Sequence, residues 1–182
     1  MAVAACCILG RGWSAEAQQN VDKKDEGSKP AKSIENADDK DLPTVTEARV
    51  RARLLFETYD ATLNAMHRRY FTEKPGVPVP SRVLEEVFSR VSRRSKVSAR
   101  WLAVNAQAMS IEHEPRDEFE TAAVRALTSG KREHEVIDDA KYRYVGSITL
   151  FDSCLKCHAP APMRQDGSRV AGLVISMSVR KE

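Results

Sequence analysis

No apolar stretch of the chain is long enough to cross a bilayer, and the mean hydropathy is -0.46, which argues against an integral membrane protein. Charge of one sign is also missing. Twenty-nine Lys and Arg stand against 26 Asp and Glu, a net of +3, too little for a nucleic-acid binder driven by bulk charge. Cysteine is scarce, four residues in two unlike pairs, Cys6 with Cys7 and Cys154 with Cys157; a secreted disulfide scaffold would spread more of them along the chain. Aromatic residues make up 6% of the chain, but 42% of it is apolar, and 182 residues leave room for one domain with a real core plus an extension. A large multidomain enzyme is thereby excluded.

The first 42 residues are unlike the rest. Ala2 to Leu9 form a short apolar run, and Ala15-Glu16-Ala17 has the small-x-small spacing of a signal-peptidase site. Residues 1–17 are therefore expected to be an export signal whose start is truncated, because the only early positive charge, Arg11, follows the apolar run. Val3-Ala4-Ala5-Cys6 also loosely suits a lipoprotein site with Cys6 acylated, although the run before it is short for that. Residues 18–42 hold five Lys against seven Asp and Glu with few apolar side chains, the composition of a disordered polar linker. The remainder, 43–182, has 23 basic and 18 acidic residues, or +5, which reads as an ordinary solvated surface.

Within 43–182 the apolar periodicity predicts three helices and four strands. Thr44-Val45-Thr46-Glu47 has capping-box spacing, and Leu55, Tyr59, Leu63, Met66 and Tyr70 recur along one face of a long helix over about 44–72. Pro75 to Pro80 stops it, and Ser81 is a candidate cap for a second helix with Val83, Leu84, Val87, Phe88 and Val91 on its stripe. Val97, Ala99 and Trp101 then alternate with Ser98 and Arg100, as in a half-buried strand. Phe119, Ala122, Ala123, Ala126 and Leu127 mark a third helix ending at Gly130. Strands over 133–137 and 142–150 follow, separated by Asp138-Asp139, and the alternation of Ala171, Leu173, Ile175, Met177 and Val179 gives the last. With no βαβ alternation and no internal repeat, this is an α+β domain: an antiparallel sheet with a long N-terminal helix and flanking helices.

The chemistry is concentrated in Cys154-Leu155-Lys156-Cys157-His158. A c-type haem is held by thioether bonds from two cysteines to its vinyl groups, and the His after the second cysteine ligates the iron. A chance Cys-x-x-Cys-His in a chain of this length is expected on the order of once in a thousand sequences. Structural zinc needs four ligands, and beyond the motif only the distant His67, His113 and His134 are available. A thioredoxin-type dithiol would open a long helix, which Ala159-Pro160-Ala161-Pro162 cannot continue. A plain disulfide across the two cysteines would not need His158. One covalent haem c, with His158 as proximal ligand, is the expectation, and its attachment outside the cytoplasmic membrane agrees with export to the periplasm.

The sixth ligand is open to several side chains. Only 24 residues follow His158. Met163 is too close in sequence to cross to the other face of the ring, and Met177 sits on the apolar face of a strand, where packing is its expected role. His67 falls one turn past Leu63 at the edge of the first helix's stripe and is the leading candidate. His113, between two glutamates in a polar loop, and His134, among charged residues on a short strand, come behind it, with an open or water-ligated iron as the remaining case.

The order helix, helix, strand, helix, hairpin, Cys-x-x-Cys-His and closing Gly-rich strand resembles a family, the single-haem c-type domain with a PAS-like fold known as domain of unknown function three-three-six-five. The resemblance runs from about Val45 to Val179. It is most specific at Tyr142 to His158 and at Val170-Ala171-Gly172-Leu173-Val174-Ile175-Ser176-Met177-Ser178-Val179, with weaker support from Arg116-Asp117-Glu118-Phe119-Glu120. It implies a five-stranded PAS-like sheet cupping the haem, one strand more than the periodicity gives. It also implies a sixth ligand from the first helix, in the family sometimes a Cys; this chain has none there, and His67 is the position that fits. Redox sensing, small-ligand sensing or electron transfer is the implied activity.

Two functional classes follow. The first is a periplasmic haem protein that passes single electrons or senses redox state or a diatomic gas. No kinase, cyclase or methyl-accepting segment accompanies the motif, so a signal would have to pass to another protein, which weighs the expectation toward electron transfer and a redox partner. The second is a haem peroxidase or nitrite-type reductase, for which His67 and Arg68 could supply distal acid-base groups; Arg68 is more simply a surface or propionate-pairing arginine. No catalytic residue is otherwise assigned. Arg90, Arg93, Arg94, Lys96 and Arg100 form the densest positive cluster, expected as a solvated face, with docking to an acidic redox partner as its sharper use. If the cluster docks a partner, charge reversal at Arg93 and Arg94 slows electron transfer at low salt in stopped-flow mixing; an unchanged rate removes the docking role.

Overall fold

Thr44 opens the first helix as its spacing predicts: its Oγ1 accepts the Glu47 amide at 3.2 Å, and Glu47 Oε2 accepts the Thr44 amide at 2.8 Å. The structure is a computed structural model that describes residues 41–70, 78–108, 110–152, 154–155 and 168–180. The expected leader, Cys6, nearly all of the linker, Cys157, His158 and Met163 lie outside the described residues.

Helix α1 spans Val45–Arg69 and buries Ala48, Ala52, Phe56 and Tyr59, with Leu55 and Leu63 partly covered. The predicted stripe therefore holds in the middle and needs correction at its ends. Tyr70 is 74% exposed because the helix ends before it, and the N-terminal half is covered through two alanines. Helix α2, Pro80–Arg94, begins two residues earlier than a Ser81 cap would place it, with Val79 at the cap position. Pro80 takes the first helical position, where its missing N–H costs nothing, so Ser81 is not the cap. Instead the Ser81 carbonyl accepts the Trp101 indole N–H at 3.1 Å. Leu84 and Phe88 are buried, whereas Val87 is 39% exposed.

Strand β1 is Val97–Ala103, followed by a 3₁₀ turn at Ile111–His113, helix α3 at Glu118–Thr128, and strands β2 (Glu133–Asp138), β3 (Lys141–Thr149) and β4 (Val170–Ser178). All pairings are antiparallel and the order is β1-β4-β3-β2. The described residues thus form the four strands that the periodicity gives; the fifth strand implied by the family resemblance is not among them. The β2–β3 turn is made by Asp139 at φ 50°, a left-handed conformation that Asp tolerates.

β4 is central, and its side chains divide the core. Leu173, Ile175 and Met177 join Trp101, Tyr142, Tyr144 and Ile148 under α1 and α2. Val170 and Val174 join Leu102 and Val145 against Ala123 and Leu127 of α3. Met177 is 2% exposed within this core, the packing role expected of it. Edge-to-face contacts link Tyr59 to Phe88 at 4.8 Å and Phe88 to Trp101 at 4.9 Å, tying α1, α2 and β1 together.

Two features fix α1 on the sheet. Gly146 of β3 lies directly beneath Phe56: a Cβ there would come within 2.3 Å of the ring, so only glycine lets the helix approach this closely. Beside it, two parallel rungs cross from α1 to the hairpin. Arg49 pairs with Glu135, which also accepts the Tyr142 hydroxyl, and Arg53 pairs with Glu133, which accepts the Tyr144 hydroxyl at 3.1 Å. The spacing of four on the helix and two on each strand brings both rungs into register. The Arg49 hydrogen bond holds the Glu135 carboxyl below its ordinary value, against a smaller opposing effect of burial.

The opposite face is closed by a charge cluster. Glu120, 2% exposed, binds Arg100 at 2.6 Å and faces Arg143 at 3.6 Å, while Arg143 also reaches Asp117 at 2.8 Å and lies over the Phe119 ring at 4.1 Å. Arg100 further donates to the carbonyls of Glu112 and Glu114. Arg100 therefore leaves the solvated cluster expected of it and serves as an internal counter-charge.

Two outcomes test this account. Gly146→Ala loses about 1–3 kcal/mol in urea unfolding, and adding Phe56→Leu recovers part of the loss; strictly additive effects would remove the close-approach argument. Glu135 contributes stability that is fully present above its unfolded value of 4.5 and is lost as pH falls through its lower folded value. The stability gap between wild type and Arg49→Gln therefore closes as pH is lowered from about 6 to about 2.5; a gap that stays constant over that range contradicts the assignment.

Candidate functional site

The sequence separates His67 from Cys154 by most of the folded domain, yet both line one cavity at the end of the sheet. α1 supplies Leu63, Asn64 and His67; β1 and the chain after it supply Trp101 to Val104 and Ala106 to Ala108; and the ends of β3 and β4 supply Ile148, Leu150, Val170 and Ala171. The volume of the cavity is about 140 Å³. Among the described residues its wall is apolar apart from Asn64, Ser81, Gln107, Thr149, the two histidines His67 and His113, and Cys154, and no Lys, Arg, Asp or Glu of theirs lines it.

Each chemical group is placed by local structure. Nδ1 of His67 lies 3.3 Å from the Leu63 carbonyl one turn back. With the proton on Nδ1 donated to that carbonyl, Nε2 carries the lone pair, the tautomer that suits an imidazole metal ligand. Cys154 follows β3 on a helical turn in which the amides of Cys154 and Leu155 both donate to the Phe151 carbonyl, at 2.8 and 3.1 Å. The strand end before that turn is tied to β4 through Leu150 N–H to the Arg169 carbonyl at 2.9 Å. Asn105 clamps the same edge, accepting the Val170 amide at 2.7 Å and donating to the Ser168 carbonyl at 3.1 Å. Cys154 is half-buried as a result.

Of the other predicted candidates, His113 also reaches the cavity wall, through a contact that no sequence pattern reveals: its Nε2 meets Glu85 Oε1 of α2 at 3.0 Å. Glu85 is 28 residues away, and only the packing of α2 against the 3₁₀ turn brings the two together. His134 is elsewhere. Its ring stands 5.5 Å from Phe119, burial holds its pKa below the ordinary value, and it does not line the cavity. Arg68 is exposed and also lies off the wall. Trp101 and Gln107 line the cavity without having been singled out as site residues; Trp101 was legible only as a buried strand residue. Among the described residues no group of three or more His, Cys, Asp and Glu stands close enough to hold a metal ion, and no helix is long and apolar enough to cross a membrane.

No curated protein matches the chain. Among solved structures, the crystal structure of the cyanobacterial heme-protein Tll0287 matches with a TM-score of 0.57 at 13% identity, covering 75% of this chain and 98% of that one, a likeness of fold. A family model described as Tll0287-like matches residues 40–170, from the residues before α1 through the first residue of β4. That span contains His67, every named residue of the cavity wall but Ala171 and the whole Cys-x-x-Cys-His motif, and on it the chain belongs to the Tll0287-like family.

Proposed function

We propose that the chain is a periplasmic monohaem c-type cytochrome that passes single electrons or reports redox state or a diatomic ligand. Cys154 and Cys157 would carry the thioethers, His158 would be the proximal ligand and His67 the distal one. The observation that carries the reading is the meeting of His67 and Cys154 on one apolar cavity, together with the Cys-x-x-Cys-His motif that continues from Cys154. The residues present fit the group: the wall given by the described residues is largely apolar, as a porphyrin face requires, and the His67 tautomer that would donate from Nδ1 to the Leu63 carbonyl is the one that suits ligation through Nε2. The neighbour in the solved structures is named as a heme-protein, which supports the same cofactor class. When bound, the haem would supply a reversible one-electron change at iron.

The chain's own groups define what it adds. α1 presents an imidazole at a fixed height, the helical turn after β3 presents a thiol, and the apolar wall limits water around both. The enzyme reading draws no support from Arg68, which is exposed and away from the cavity. Export is proposed with the reading, from the apolar run and the Ala15-Glu16-Ala17 spacing.

The test is an absorption spectrum of protein made with a c-type haem maturation system, oxidised and reduced, with and without CO, together with denaturing mass, for wild type and His67→Ala. The expected result is a covalent haem in both proteins, six-coordinate in wild type and CO-reactive only after His67 is removed. A wild type that binds CO readily moves the function to gas sensing with a labile sixth site. A mass without haem overturns the reading and returns Cys154, Cys157 and His158 to zinc or dithiol chemistry.

A further inference from the structure

A haem carries two propionate carboxylates, yet among the described residues no basic side chain other than histidine lines the cavity. The carboxylates of a ligand seated there have to leave the apolar wall. One exit is furnished with positive charge. A polar groove between α2, β1 and the 3₁₀ turn shares Val79, Ser81, Trp101 and His113 with the cavity, so the two spaces meet along that border. The groove is lined by four arginines, Arg82, Arg93, Arg100 and Arg116, against two glutamates, Glu85 and Glu112.

The existing pairings leave a short choice. Arg100 is taken by Glu120, Arg116 by Glu112, and Glu85 is held by His113. Arg82 and Arg93 pair with no carboxylate among the described residues. Arg82 adjoins Ser81, a border residue fixed by the Trp101 indole at 3.1 Å. Arg93 is three turns further along α2, about 16 Å away by helical rise. We infer that the cavity and this groove form one amphipathic site, in which Arg82 receives a carboxylate of the ligand whose apolar body fills the cavity. The inference deepens the haem reading and rests on it. Arg82 and Arg68 are both exposed, but Arg68, the arginine that sequence adjacency to His67 suggests for this role, lies outside both linings.

A guanidinium paired with a propionate stabilises the reduced iron relative to the more positive oxidised one, so its loss favours the ferric form. The test is spectroelectrochemical titration of the holoprotein for wild type, Arg82→Gln, Arg82→Lys and Arg93→Gln, in about 0.1 M and 1 M salt. The expected result for Arg82→Gln is a shift of about five- to tenfold toward the oxidised form, a tenfold change being 59 mV for one electron. The shift persists at high salt, Arg82→Lys restores most of it, and Arg93→Gln stays within twofold of wild type. The proposal is overturned by an Arg82→Gln potential within twofold of wild type, by a shift abolished at high salt, by failure of Arg82→Lys to restore it, or by an equal shift in Arg93→Gln. Unchanged haem spectra and mass in these variants show that the failure is the arginine's alone. A wild type without haem instead removes the underlying reading, and this inference with it.

Discussion

The close approach of α1 to β3 governs where everything else can stand. Phe56 settles over Gly146, and the two Arg–Glu rungs to β2 fix the helix's rotation about its own axis. At 3.6 residues per turn, Leu63 and His67 return to nearly the same side of the helix as Phe56, with His67 about 16 Å further along. A helix seated one side chain higher would carry the imidazole away from the sheet end. The position of His67 on the cavity is therefore a consequence of a glycine on a strand and of carboxylates on a hairpin edge, none of which touches it.

A second constraint acts on the other face of the sheet. Burying Glu120 is costly unless its charge is matched, and Arg100 and Arg143 match it from two different strands. The same Arg100 grips the carbonyls of Glu112 and Glu114, which holds the segment carrying His113 against α2. The charge cluster thus has structural reach into the site: it positions the 3₁₀ turn that forms part of the border between cavity and groove. Glu120 also accepts the Arg116 amide at 2.9 Å, and Asp117 caps α3 by accepting the Glu120 amide at 2.9 Å. Arg116 to Glu120 is accordingly a helix start and a charge anchor in one stretch.

How much of this could be read in advance divides by the range of the interaction. The Thr44–Glu47 box, the Asp139 turn, the alternation along β4 and the Cys-x-x-Cys-His motif are all written within a few residues, and the three helices and four strands stand where the periodicity put them. His67 was reachable because helical spacing marked it at the edge of a buried stripe. What escaped depends on partners distant in sequence. Nothing local distinguishes Arg100 from Arg93 and Arg94, since its partner Glu120 sits on another element. Glu85 looks like any exposed helix glutamate until α2 meets the 3₁₀ turn. The start of α2 was missed for a different reason: Ser81 and Pro80 both suit a helix start, and the proline's fixed φ prevailed.

On the proposed reading, the composition of the cavity wall bears on how the site would be tuned. Because no carboxylate, ammonium or guanidinium of the described residues lines it, none of them would place a fixed charge on the wall to offset a change of charge at an iron inside. The main influences left are the ligating imidazoles, the dryness of the apolar wall and charges beyond its border. The Leu63 carbonyl adds electron density to His67 through Nδ1, and the groove places its arginines just outside. Such a division lets the apolar cavity exclude water while the groove meets the carboxylates. It also gives a physical reason for Arg82, an arginine with no carboxylate partner among the described residues, to stand beside this apolar opening.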